Sequence, residues 1–200
     1  MYIERYTPKF QELLHTPSIP YREQTVNIYQ RAFAGFPWYE DLSVEEIAKR
    51  IEADFVKPGF EGVWAINDKD HVIGASWYYP IDPDYLGQKR GEQLKAFAEN
   101  KIRENNSMQL VWQSMTVVDP DFQGRGVGIY LKDQIDEMLH HKASVDARPI
   151  LYLTRIRDDN TGSIRMNEVH EMQRTGISTP SSQVAGLSHH YWYKIIYPKS

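Results

Sequence analysis

An apolar run ending at Val117 and Val118 gives way to Asp119 and Pro120. The chain then packs Gly124, Gly126 and Gly128 into five residues before apolar residues resume at helical spacing. A backbone this bare between a strand and a helix has two uses. It makes a tight connection, or it lets successive N–H groups at a helix start come close to an anion. Known phosphate loops narrow the choice. A P-loop closes with Gly-Lys-Ser or Gly-Lys-Thr, whereas Gly128 precedes Ile129 and Tyr130. The dinucleotide fingerprint needs a third glycine three positions after the second, where this chain has Ile129.

The flanking pattern is mixed α and β. After a short apolar start at Met1 to Tyr6, Val26, Tyr29 and Phe33 share one helical face, with Gly35 as a stop signal. Ser43 and Glu46 stand at capping-box spacing ahead of a stripe formed by Val44, Ile47, Ile51 and Phe55. "GVWAIN" and "HVIGASWYYP", separated by "DKD", read as a hairpin. The interval 82–107 carries Leu94, Phe97, Ala98 and Ile102, which predicts an amphipathic helix outside the sheet. "LVWQSMTVV" is a strand. The helix after the glycines aligns Leu131, Ile135, Met138 and Leu139, and ends in His140, His141 and Lys142, the charge type its dipole prefers. "PILYLTRI" reads as a buried strand, "NTGSIRMNEVHEM" as a helix and "HHYWYKII" as a last strand. The fold class is therefore α/β or α+β.

Composition removes several classes. A chain of 200 residues suits one compact domain spanning 1–200, able to bury roughly 70% of its unfolded surface. Without Cys there is no disulfide, thiolate metal site or cysteine nucleophile, and the paired histidines lack metal-ligand spacing, so no metal is expected. A reducing cytoplasm fits. The first ten residues carry charges where a signal peptide is apolar, and no run approaches the ~20 apolar residues of a membrane span. A net charge of −4 predicts no nucleic-acid partner, and no membrane association is expected either.

Gln123, Gly126 and Gly128, directly after a strand and directly before an amphipathic helix, resemble the acetyl-CoA-binding segment of the GCN5-related N-acetyltransferase (GNAT) family. The resemblance extends over most of the chain. It implies a mixed, mostly antiparallel central sheet flanked by helices, with 82–107 as a helical insertion before the coenzyme-A-binding strand. It implies acetyl-CoA as co-substrate, its pyrophosphate on the amides of Gln123, Gly124, Arg125, Gly126, Val127 and Gly128. The pantetheine arm would pair with Met115, Thr116, Val117 and Val118, and Asn160 and Ser163 would contact coenzyme A from the following helix. Asn160 also suits a helix N-cap. "FPWYED" is similar to the family's acceptor-side loop, which makes Phe36, Trp38 and Tyr39 candidates for lining the acceptor site and Glu40 a candidate general base.

The reaction implied is transfer of an acetyl group to a primary amine on a small molecule or peptide, by direct attack within a ternary complex, in a monomer or homodimer. Many family members place a Tyr seven residues after the Asn to protonate the leaving thiolate; this chain has Asn167, and an amide cannot act as that acid. Tyr191 and Tyr193, alternating with Trp192, are candidate substitutes, and His189 or His190 a second candidate base. Asp41, Glu45 and Glu46 extend a negative rim beside Glu40 that would suit a cationic amine, although acids also belong in a helix's first turn. "HEMQRTGISTPSSQ" is longer than the usual link to the last strands. Two alternatives stay open: a module that binds acyl-CoA without turning it over, and an enzyme using the glycines for a different nucleotide diphosphate.

Overall fold

The structure is a computed structural model that describes residues 1–6, 21–35, 37–105 and 107–199. In chain order its elements are β1 (Tyr2–Tyr6), α1 (Arg22–Ala34), α2 (Val44–Phe55), β2 (Glu61–Ile66), β3 (Val72–Pro80), α3 (Pro83–Arg90), α4 (Glu92–Glu104), β4 (Gln109–Val118), α5 (Val127–Val145), β5 (Ile150–Arg157), α6 (Thr161–Val169), β6 (Gln173–Pro180) and β7 (Ser188–Ile196). A short 3-10 turn at Pro120–Phe122 follows β4. Among the described residues the strands hydrogen-bond in the order β1-β2-β3-β4-β5-β7-β6. The β1/β2, β2/β3, β5/β7 and β6/β7 pairs are antiparallel and β4/β5 is parallel. The expected mixed, mostly antiparallel sheet with flanking helices is what the chain forms.

The chain divides into two compact units, one of residues 1–79 and 114–135, the other of residues 80–113 and 136–200. In the first, Phe55, Phe60, Trp64 and Trp77 are buried together, with Phe55 and Phe60 ring centroids 4.2 Å apart and the two indoles stacked at 6.4 Å. Each ring contributes on the order of 1.5–3 kcal/mol of burial. Their polar handles are satisfied: Trp64 Nε1 donates to Thr25 Oγ1 at 3.0 Å, and Trp77 Nε1 donates to Asp54 at 2.9 Å. Ser114 Oγ donates to the same Asp54 oxygen at 2.6 Å. The capping box at Ser43 and Glu46 forms as its spacing predicts. The β2–β3 turn is held by the Asn67 side chain, which accepts from the N–H groups of Lys69 and His71.

In the second unit β5 is buried along its length except at Arg155, as expected of a central strand. Leu94, Ala98, Leu139, Ala143, Leu151 and Ile196 are fully buried around it.

Three expectations need correction. Val44 is 48% exposed and stands outside the stripe formed by Ile47, Ile51 and Phe55, because the first helical turn lies beyond the core edge. The interval 82–107 holds two helices rather than one. Asp82 caps α3 through the Tyr85 N–H with Pro83 in the first turn, and the chain breaks at Gly91 with φ 99°. The segment read as a long link contains β6, an edge strand whose register shifts between Arg174 and Ser178. The apolar start, for which the pattern named no element, forms strand β1 over Tyr2–Tyr6.

Asp54→Ala strands two donors, one of them on a fully buried indole. Chemical denaturation should show a loss of about 2–4 kcal/mol.

Candidate functional site

The glycine turn belongs to the first unit and is fixed from three directions. Asp119 N–H donates to the Ile73 carbonyl at 3.0 Å, continuing the line of β4 beside β3. The Asp119 carboxylate, 9% exposed, accepts from the Asp121 N–H at 2.9 Å and from Arg31 Nη1 at 2.7 Å, and Arg31 Nη2 reaches Asp121 at 2.8 Å. Gln123 Nε2 folds back onto the Val118 carbonyl at 3.1 Å. Gly124 and Gly126 then take φ of 72° and 83°, conformations that strain any side chain. A Cβ built at either glycine meets nothing within 4 Å.

The first helical bond of α5 runs from the Tyr130 N–H to the Gly126 carbonyl at 2.9 Å. The N–H groups of Gly124, Arg125 and Gly126 find no backbone acceptor among the described residues, and those of Val127 and Gly128 open the helix. Exposed amides at the positive end of a helix dipole bind anions. The Arg125 guanidinium lies 5.5 Å above the Phe122 ring, beside this turn. The residues present fit a pyrophosphate.

The preceding strand is positioned by Gly74 and Ser76 of β3. A Cβ on Gly74 would stand 2.9 Å from Leu131 Cδ1 and 3.1 Å from the Val117 carbonyl, so only glycine admits α5 this close to the sheet. Ser76 Oγ donates to the Met115 carbonyl at 3.0 Å and shares a 2.8 Å bond with Thr116 Oγ1. Met115, Thr116, Val117 and Val118 end β4, and Asp119 with the 3-10 turn Pro120–Phe122 connects them to Gln123 to Gly128.

The loop after α1 is braced rather than open. Trp38 lies 5.2 Å from Phe33, which stacks on Tyr29 at 4.3 Å. Glu40 accepts from Arg50 Nη1 at 3.0 Å and from the Tyr29 hydroxyl at 3.2 Å. Burial, then the Glu40 charge, push the Tyr29 hydroxyl up to about 12. The Glu40 carboxylate is thus engaged by Arg50 and Tyr29 in the brace of this loop. Tyr39 is 69% exposed, and Phe36 lies outside the described residues.

In the second unit, Asn160 caps α6, its Oδ1 accepting from the Ser163 N–H at 3.1 Å. Asn167 is 1% exposed and both polar atoms of its amide lack partners among the described residues. Tyr191 is buried, its hydroxyl 3.2 Å from Thr179 Oγ1, and Tyr193 donates to Gln173 at 2.7 Å. His190 Nε2 meets Asp158 at 2.7 Å. His189 is 6% exposed; burial, then Arg155, Arg157 and Arg90, lower its pKa to about 4. No cluster of metal-ligating residues exists among the described residues, and no described helix is long and apolar enough to cross a membrane.

Sequence reasoning missed Arg31 and Asp119, which shape the turn. The Asp-Pro-Asp pattern signals a local turn, but nothing local announces a partner 88 positions away. It also passed over Arg155, a charge inside the otherwise apolar run "PILYLTRI".

Two measurements check these assignments. Between about pH 6.5 and 4 the unfolded chain binds a proton at His189 that the folded chain refuses, so stability falls as pH falls through that window and levels off below it. Denaturant titrations should show this slope flattened in His189→Gln. Asn167→Leu should raise stability by about 1–2 kcal/mol, since it removes an unpaired buried amide.

No family model matches the sequence, and no curated protein matches it. Solved structures do. The ribosomal-protein-S18-alanine N-acetyltransferase of Escherichia coli aligns with a TM-score of 0.59 at 13% identity, over 100% of this chain and 97% of that one. A GNAT superfamily phosphinothricin acetyltransferase of Sinorhizobium meliloti, solved in complex with AcCoA, gives 0.60 at 16%, over 98% and 90%. The ribosomal-protein-alanine N-acetyltransferase of Brucella melitensis gives 0.60 at 16%, over 98% and 100%. Matches of this extent identify the architecture: the chain has the GNAT fold.

Proposed function

We propose that this protein transfers the acetyl group of acetyl-CoA to a primary amine of a small molecule or peptide. The observation that carries the reading is the turn from Gln123 to Gly128, where amides without acceptors, two left-handed glycines and a helix start follow β4 directly. The turn holds the pyrophosphate, and Met115 to Val118 align the pantetheine arm. Acetyl-CoA supplies an activated thioester.

The amine nitrogen attacks the thioester carbonyl carbon, with a backbone N–H at Val117 or Val118 stabilising the oxyanion. The C–N bond forms and the C–S bond breaks. Because an alkyl ammonium has a reference pKa near ~10.4, its proton must leave first. His189 stays neutral and Glu40 is engaged by Arg50, which leaves the proton to water or to His190, whose Nε2 meets Asp158. The departing thiolate, with a reference pKa near ~8.5, takes its proton from water without a side-chain acid, consistent with Asn167.

One observation favours a second reading. Asn167 removes the acid without replacing it, which suits a module that holds acyl-CoA and does not turn it over.

Calorimetric titration of acetyl-CoA, with NADH and ATP as competitors, tests the cradle. Saturable acetyl-CoA binding is expected, abolished in Gly126→Val and unaffected by either competitor. Preference for NADH or ATP would assign the turn to another diphosphate, and no binding at millimolar ligand would remove the acetyltransferase reading. Thiol release with an amine panel, free of background in a cysteine-free protein, separates the enzyme from the binding module.

A further inference from the structure

Strand β4 changes character at its middle. Its pairing with β5 ends at Trp112, and Leu110 to Gln113 are buried, whereas Ser114, Met115 and Thr116 are each only half-buried. The open stretch thus begins one residue before the segment read as aligning the pantetheine arm and runs into it.

Side chains in this stretch also break the alternation of the strand. On β3, Gly74 and Ser76 share the face that α5 covers, since a Cβ on Gly74 would touch Leu131, while Trp77 faces the other way, onto Phe55 of α2. Thr116 Oγ1 meets Ser76 on the first face, and Ser114 Oγ meets Asp54 of α2 on the second. Residues two apart in a regular strand point to one face, so β4 is irregular between Ser114 and Thr116, the kind of distortion that re-aims a side chain.

The re-aimed Ser114 meets a carboxylate that is only half engaged. Asp54 Oδ2 accepts from Ser114 Oγ at 2.6 Å and from Nε1 of the fully buried Trp77 at 2.9 Å, which fixes the plane of the group. Oδ1 has no partner among the described residues and is not sealed from solvent. Neighbouring charges are engaged elsewhere. Arg50, one turn earlier on α2, pairs with Glu40, and Lys57, whose N–H donates to the Asp54 carbonyl, holds its ammonium 6.0 Å above the Tyr79 ring of β3. Neither β3 nor β4 contains a charged residue. A carboxylate with one oxygen fixed, the other open and no cation paired to it, set against the open stretch of β4, suits a cation that arrives with a ligand.

We propose that Asp54 Oδ1 accepts a hydrogen bond from the acceptor's ammonium and takes its proton, with Ser114 and Trp77 as positioning residues. The proposal rests on the acetyltransferase reading and names the base of that reaction. One N–H bond breaks, its proton moves to Oδ1, and the electron pair left on nitrogen forms the C–N bond to the thioester carbon. The second nitrogen proton, acidic once that bond has formed, leaves to water, and Asp54 returns its own to water between turnovers. The acceptor then binds as a cation.

The experiment compares the wild type with Asp54→Asn, whose amide oxygen still accepts from Ser114 and Trp77, and with Ser114→Ala. All three should bind acetyl-CoA alike in calorimetry. Thiol release is followed against pH with the best acceptor from a panel of amino acids, dipeptides and polyamines. Between about pH 7 and 9 the wild-type kcat/KM should stay flat, because the ammonium loses its proton on the enzyme. Asp54→Asn should lose about a hundred- to a thousandfold at pH 7 and regain tenfold per pH unit toward the ammonium's reference pKa near ~10.4, since only free amine then reacts. Ser114→Ala should fall severalfold and keep the flat profile. Titration of the same acceptor into the coenzyme A complex gives a readout without turnover, in which Asp54→Asn should bind about ten- to a hundredfold more weakly.

Failure of the wild type to bind acetyl-CoA would end the acetyltransferase reading and this proposal with it. Binding without thiol release from any amine would support the non-catalytic module and overturn the proposal. Where the wild type transfers, an Asp54→Asn profile that stays flat, or one that matches the wild type, would overturn the proposal and leave the transfer reading intact.

Discussion

The half of the fold that carries the glycine turn depends on one buried carboxylate. Asp119 stands where β4 must stop and the chain must turn into α5, and its two oxygens accept from the Asp121 N–H and the Arg31 guanidinium. The first bond makes the turn; the second ties it to α1. Breaking a nearly buried pair by removing one partner leaves an uncompensated charge, so the arrangement resists change even though Arg31 itself is largely exposed. With the turn fixed, the direction of the next five amides follows from two left-handed glycines and the first bond of α5. Gly74 completes the constraint from β3 by letting Leu131 and the Val117 carbonyl approach where a Cβ would collide.

The second unit solves a different problem, that of carrying several cations on a central strand. Burying Arg157 is tolerable because Asp159 supplies a two-point partner and Gln183 a further acceptor. His189 is accommodated by losing its proton. Arg155 differs, since it is the one residue of β5 that solvent reaches, and burial of part of it and the charge of Arg90 push its guanidinium below the usual pKa. A strand free to choose its residues by packing alone would place an aliphatic side chain there, as β5 does at most of its other positions.

Much of this was readable in the sequence where the signal is local and periodic. The capping box at Ser43, the hairpin around "DKD" and the helix after Gly128 follow from spacing alone. The strand β6 did not, because an edge strand needs no apolar alternation. Gln173, Arg174 and Thr175, with Gly176 at φ 80° and Pro180 at its end, are polar turn-like residues that protect an edge from further pairing. The break at Gly91 escaped because the apolar spacing of α4 continues the phase of a single helix. At the site, the glycine cradle was legible because backbone freedom has its own residue code. The ion pairs that orient it were not, since Arg31 and Asp119 meet only after folding.

The same distinction bears on the acidic run after the first helix. From the sequence, Glu40, Asp41, Glu45 and Glu46 resemble a negative rim that would attract a cation. Folding engages two of them: Glu46 closes the capping box, where the Ser43 backbone and hydroxyl hold its carboxyl below the usual range, and Glu40 is held by Arg50 and Tyr29. Glu45 sits in the first helical turn, where the dipole favours it. Acids with such structural roles leave little net field for a substrate to read.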